Sequence, residues 1–170
     1  VNIHKLEGDI DYRTRNIIKF DENDSNKIIS DEEIFKFIID NFGLDQQKSN
    51  QVLINDRKFT CKLVSNNILW IEFNDFFRKA TGSKDYTYIS NKFDWVFISN
   101  FKKNNDDSID VIRRFISFID ITYTNRTKIK FFFNDIDIEN IYTGSKIENL
   151  WVRCKSRLSE MRTQEYLTNN

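Results

Sequence analysis

A chain of 170 residues can bury a sizeable core as one domain or as part of a larger one, and its 26 Lys and Arg cancel its 26 Asp and Glu. Zero net charge provides no basic field for non-specific nucleic-acid binding, so nucleic acid is not an expected partner. Two cysteines and one histidine exclude a disulfide framework and a zinc cluster, and leave only His4 for a Ser-His-Asp triad. No apolar run approaches the roughly 20 residues of a membrane helix, and no signal-peptide layout opens the chain, so a soluble, intracellular protein is expected. The first residue is Val1 rather than Met, which suggests a fragment or a processed piece.

In chain order, VNIHKL reads as a strand running into the polar turn EGDIDYR, and Asp21 to Lys27 as a loop. Ser30 or Asp31 caps a helix over DEEIFKFIIDNF, with Ile34, Phe37, Ile38 and Phe42 as its apolar stripe and Gly43 as its stop. NQVLI and RKFTCKLV form a hairpin about Asn55-Asp56, and Asn66-Asn67 turns the chain into the strand ILWIEF. Asn74 or Asp75 caps a short helix, and Gly82-Ser83 interrupts before the helical DYTYISNKF. WVFIS is a nearly all-apolar strand, followed by a helix from about Ser108 to Tyr123 with Ile109, Ile112, Phe115, Ile116, Ile119 and Tyr123 at helical period. TKIKFFF is another strand, and a last helix runs from about Lys146 to Arg162, burying Ile147, Leu150, Trp151, Leu158 and Met161. The expected class is α/β: βαβ-type units with apolar strands flanked by helices, plus a β-hairpin. The 170 residues divide into a strand and loop (1–27), a helix with hairpin and strand (28–83), and a βαβα region (84–170).

A phosphate cradle would need Gly-x-x-x-x-Gly-Lys-Ser/Thr. None of the four glycines precedes a lysine directly, so Gly82-Ser83-Lys84 and Gly144-Ser145-Lys146 read as turns. No Walker B carboxylate follows the strands: WVFIS runs into Ser99-Asn100, and KFFF into Asn134-Asp135. Asp9, Asp11, Asp21, Glu22 and Asp24 read as a solvated acidic run, and no metal ligands are assigned. The arginines carry more. Arg153 and Arg157 share a helix face with Glu160 three residues on, and Arg113-Arg114 lie mid-helix between Asp110 and Asp120. By pattern alone they are surface decoration; where a site exists, arginine's permanently charged planar fork suits phosphate or carboxylate.

Five segments, in order and spacing, resemble one family: LEGDIDYR (Leu6–Arg13), WIEFNDFF (Trp70–Phe77), KDYTYISNKFDWVFI (Lys84–Ile98), RRFISFIDITY (Arg113–Tyr123) and VRCKSRLSEMRTQEYL (Val152–Leu167). That family is the ZapE and AFG-one-like P-loop ATPases of AAA+ type. The resemblance implies the C-terminal part of such a P-loop NTPase, beginning after the Walker A and Walker B segments. It implies ATP and Mg2+ for the complete protein, with neither held by this chain alone. It also implies as partners the missing N-terminal P-loop region, further copies of the chain, or a cell-division or quality-control protein. The compartment implied is a bacterial cytoplasm, or a mitochondrial matrix in a eukaryote. Arg153 or Arg157 becomes the candidate arginine finger, with Arg113 and Arg114 as further nucleotide contacts and Asp120, Ser156 and Glu160 in support, Glu160 pairing with Arg157. The chain departs from the family pattern at Phe76-Phe77, usually Leu-Cys; near Phe101-Lys102, usually Val-Pro or Ile-Pro; at Phe132-Phe133, usually small residues; and at Cys154, usually Thr. The competing reading is a stand-alone, non-enzymatic α/β interaction module or the remnant of a split gene.

Overall fold

A computed structural model describes residues 13–18, 28–43 and 48–168. The predicted first strand and the Asp21–Lys27 loop lie outside those residues. After a short helix α1 (13–18) comes α2 (Asp31–Phe42), capped as its sequence directs: Ser30 Oγ accepts the Glu33 N–H at 3.2 Å. It stops at Gly43, whose φ of 69° lies in the left-handed region that glycine adopts without strain.

The strands β1 (Ser49–Ile54), β2 (Arg57–Ser65), β3 (Ile68–Glu72), β4 (Trp95–Ser99) and β5 (Lys128–Phe131) form one mixed sheet in sequential order. The two hairpin contacts, β1 to β2 and β2 to β3, are antiparallel, and β3, β4 and β5 run parallel. Asn55 and Asp56 both take positive φ, the two-residue turn whose twist matches its flanking strands. Between the parallel strands the chain crosses through α3 (Phe73–Phe77) and α4 (Ser83–Lys92), then through a 3₁₀ turn (Asp106–Ser108) and α5 (Ile109–Thr124). The short α6 (Ile138–Ile141), then α7 (Glu148–Met161) and α8 (Gln164–Thr168) complete the described chain.

Every residue of β4 is buried, because both faces of the sheet are covered at its centre. On one face Phe42 of α2 sets its edge against Trp95 and Phe97 at 5.6 and 5.5 Å, and Phe37 meets Phe132. On the other, α5 packs against α3, α4 and α7. There Phe73 stacks on Phe101 at 4.8 Å and sets its ring against Phe115 at the same distance, and Phe77 joins Phe115 and Phe118. Three of the departures from the family pattern, Phe76-Phe77, Phe132 and Cys154, are fully or almost fully buried here, filling the core as packing volume.

Several boundaries differ from the sequence reading. Phe73 opens α3 rather than closing β3, and no side chain of Asn74 or Asp75 caps it; Glu72 occupies the cap position. The buried set of α5 also takes in Val111, Phe118 and Thr122, because the helix has neighbours on several sides rather than on one stripe. β5 ends at Phe131, although the Phe132 N–H still reaches the Ile98 carbonyl at 2.9 Å. The last predicted helix is two, broken at Arg162-Thr163, where Thr163 Oγ1 accepts the Tyr166 N–H. Ile147 stands just before α7 and is buried, while Leu150 is only partly so.

Candidate functional site: the seam between α5 and α7

Phe115 of α5 faces Trp151 of α7, Asp120 faces Arg153 and Arg157, and Tyr123 faces Glu160, so the two helices run side by side in the same direction. Asp120 is the centre of this seam. Its Oδ1 takes the Arg157 guanidinium in a direct ion pair, and its Oδ2 lies 3.9 Å from Arg153 Nη2. Arg157 also lies over the Tyr123 ring at 5.3 Å, a cation–π contact that fixes its plane. Tyr123 donates its hydroxyl to Glu160 at 2.6 Å and stacks on Tyr166, over which Arg126 lies in turn. Hydrogen bonding to Glu160, with burial, raises the Tyr123 phenol above its usual range, so it stays a donor at neutral pH.

The candidate arginines therefore separate. Arg157 is committed, with a carboxylate at its fork and a ring beneath it. The carboxylate that takes it is Asp120, whereas Glu160, the partner expected from spacing, accepts from Tyr123. Arg114 donates to the Phe77 carbonyl at 3.1 Å and to Arg78 at 3.4 Å, satisfying the C-terminal carbonyls of α3. Arg113 and Ser156 are exposed on their helices. Arg153 is 54% exposed and touches Asp120 only at the limit of an ion pair, so it is the more loosely held of the two. The structure brings Arg153, Arg157, Asp120 and Glu160 into one seam, and leaves Arg113 and Arg114 outside it.

Phosphate and metal sites do not appear among the described residues. At Gly144-Ser145-Lys146 the Ser145 and Lys146 N–H groups are held by Asp106, which also accepts the Tyr142 hydroxyl. A Cβ at Gly144 would stand against that carboxylate and 2.6 Å from the Tyr142 ring, so the turn is closed by the protein's own anion. The Tyr142 hydrogen bond and then these amides hold the Asp106 carboxyl below its usual range. Gly82 caps α4, with its N–H donated to Asp85 at 3.0 Å. The strand ends are likewise occupied: Ser99 Oγ accepts Trp70 Nε1 at 2.8 Å, Asn100 donates to Glu72, and Asn134 accepts the Ile29 N–H. Among the described residues, no group of three or more His, Cys, Asp or Glu could hold a metal ion. The burial-driven rise of both cysteine thiols, to about 11 at Cys61 and further at Cys154, makes them inert.

Three joints escaped the sequence reading: the Asp106–Tyr142 clamp, the Arg114 cap, and Tyr166, whose hydroxyl donates to the Thr127 carbonyl at 2.8 Å and lies 3.4 Å from that of Thr122. A cleft of about 360 Å³ at the leading ends of β3 and β4, on the α2 side, is lined by Arg13, Phe42, Asn67, Asp94 and Trp95, among others. It lies across the sheet from the arginine seam.

The family model for AFG1-like ATPases matches residues 1–170. This chain belongs to the AFG1-like ATPase family. The cell division protein ZapE of Escherichia coli is 28% identical over 125 residues, covering 74% of this chain and 33% of ZapE. An uncharacterized protein of Schizosaccharomyces pombe is 24% identical over 151 residues, covering 72% of this chain and 33% of that protein. The chain thus spans about a third of the length of the curated relatives it matches. No solved structure matches it significantly. The family segment Leu6–Arg13 lies outside the described residues but for Arg13; in the others, Asp85 and Tyr86 fall on the α4 cap and core, Arg114 on α3, and Asp120, Arg157 and Tyr166 on the α5–α7–α8 seam. No helix among the described residues is long and apolar enough to cross a membrane.

Proposed function

We propose that this chain is the C-terminal portion of a longer ATPase, and that its part in ATP hydrolysis is to present Arg153. Phosphoryl transfer to water is helped by positive charge at the equatorial oxygens of the transferred group, and an arginine from a second body is a recurring source of it. The observation that supports the reading is the unequal sharing of Asp120: Arg157 closes on it, while Arg153 stays about half exposed and only loosely paired. The P-loop would lie in the N-terminal region of the complete protein, whose residues would also hold the Mg2+ that offsets the phosphates' negative charge. Arg153 then meets nucleotide across the joint between that region and this one, or across a joint between copies. The role proposed for the complete protein is in cell division, which the name of its Escherichia coli relative supports, or in protein quality control, in a bacterial cytoplasm or a mitochondrial matrix.

The test is phosphate release by the complete protein. It should depend on ATP and Mg2+, and Arg153→Ala should lower kcat by about ten-fold or more. No ATP turnover by the complete protein would replace this reading with the non-enzymatic interaction module. Normal turnover in Arg153→Ala would remove the arginine from the chemistry.

A further inference from the structure

The unequal sharing of Asp120 has a consequence for the second arginine. A carboxylate with two guanidinium neighbours within ion-pair range satisfies one at the expense of the other, since its charge is already balanced by the first. Here the first is Arg157, seated on Oδ1 and backed by the Tyr123 ring. The second, Arg153, is left at 3.9 Å from Oδ2, near enough to be restrained and loose enough to turn to another anion. Remove the Arg157 charge and Asp120 has one cation left within reach on α7, which is Arg153. We infer that Arg157 is a positioning residue: by neutralising Asp120 it keeps the Arg153 guanidinium available to a phosphate outside the chain. The inference rests on the reading of Arg153 given above, and it assigns Arg157 no contact with substrate.

The geometry requires a difference between two kinds of substitution. Arg157→Met keeps an apolar stem over Tyr123 but removes the charge, so Asp120 captures Arg153. Arg157→Lys loses the planar fork and its stacking, hence some stability, but keeps a cation beside Asp120. Adding Asp120→Asn to Arg157→Met removes the captor and releases Arg153 again.

In the complete protein, kcat for ATP and the thermal midpoint are measured together for these variants and for Arg153→Ala. Arg157→Met should lose about five-fold or more in kcat. Arg157→Lys should lower the midpoint yet retain most of the turnover, and the Arg157→Met/Asp120→Asn pair should recover at least half of the lost turnover. If Arg157→Met is too unstable to assay, Arg157→Gln takes its place, with the same loss in kcat expected and the same recovery on adding Asp120→Asn; full turnover in Arg157→Gln overturns the inference. Turnover that tracks the midpoint through all the Arg157 variants, with no recovery in the double variant, makes Arg157 a structural residue only. That result, with Arg153→Ala impaired, overturns the positioning role alone; a normal Arg153→Ala overturns both.

Discussion

Two guanidinium–carboxylate pairs hold this molecule together in different ways. At the hairpin, Arg57 meets Asp85 at 2.6 Å, and Asp85 is only 7% exposed. It also accepts the Gly82 N–H and the Asn55 amide, so each of its donors comes from within the fold. At the α5–α7 seam, Asp120 is 34% exposed and has a second arginine waiting beside the first. The chemistry is the same, but the first pair is closed and the second has a cation left over. A closed pair fixes structure, whereas an arginine held loosely at the surface can serve an external anion.

Breaking the closed pair should cost most. Asp85→Ala leaves Arg57 and two further donors without their acceptor, for a loss of about 2–3 kcal/mol in urea unfolding, at the low end for a buried pair because Arg57 is half exposed. The pH dependence sharpens the same point. Burial alone would raise the Asp85 carboxyl, but the Arg57, Gly82 and Asn55 hydrogen bonds outweigh it and hold the group below its usual 3.8. The stability it contributes is therefore complete above that value and is lost as pH falls through the lower folded value. The difference in thermal midpoint between the wild type and Asp85→Asn should be constant at neutral pH and should shrink in acid. Tyr166→Phe at the seam comes next, at about 1–2 kcal/mol, because it leaves the buried Thr127 carbonyl without its donor. Arg153→Ala should change stability least, by less than about 0.5 kcal/mol, as expected of an exposed and loosely paired charge.

What was legible from sequence follows the range of the forces involved. The Ser30 cap, the Gly43 stop and the Asn55-Asp56 turn rest on contacts within a few residues, and the structure has all three. The short apolar run WVFIS reads as a strand covered on both faces, and β4 is that strand. The end of β5 was not local: Phe132 and Phe133 continue the apolar run past the last residue of the strand, and they pack against Phe37 and Phe101. The seam shows the same limit. Helical spacing offers Glu160 to Arg157, three residues away, yet the partner is Asp120, 37 residues away and brought alongside only when α5 and α7 pack. Spacing could place the arginines on one face of a helix, but which of them would be committed depended on the neighbouring helix.

The most direct test of the account is one paired measurement in the complete protein: kcat for ATP and the thermal midpoint, for Arg153→Ala and for Asp85→Ala side by side. The account predicts a crossing, with Arg153→Ala losing about ten-fold or more in kcat at an unchanged midpoint, and folded Asp85→Ala losing several degrees of midpoint with its turnover largely kept. If Arg153→Ala keeps full turnover, or if both variants lose activity only in proportion to stability, the loosely held arginine has no role in the chemistry and the contrast between the two pairs is one of exposure alone.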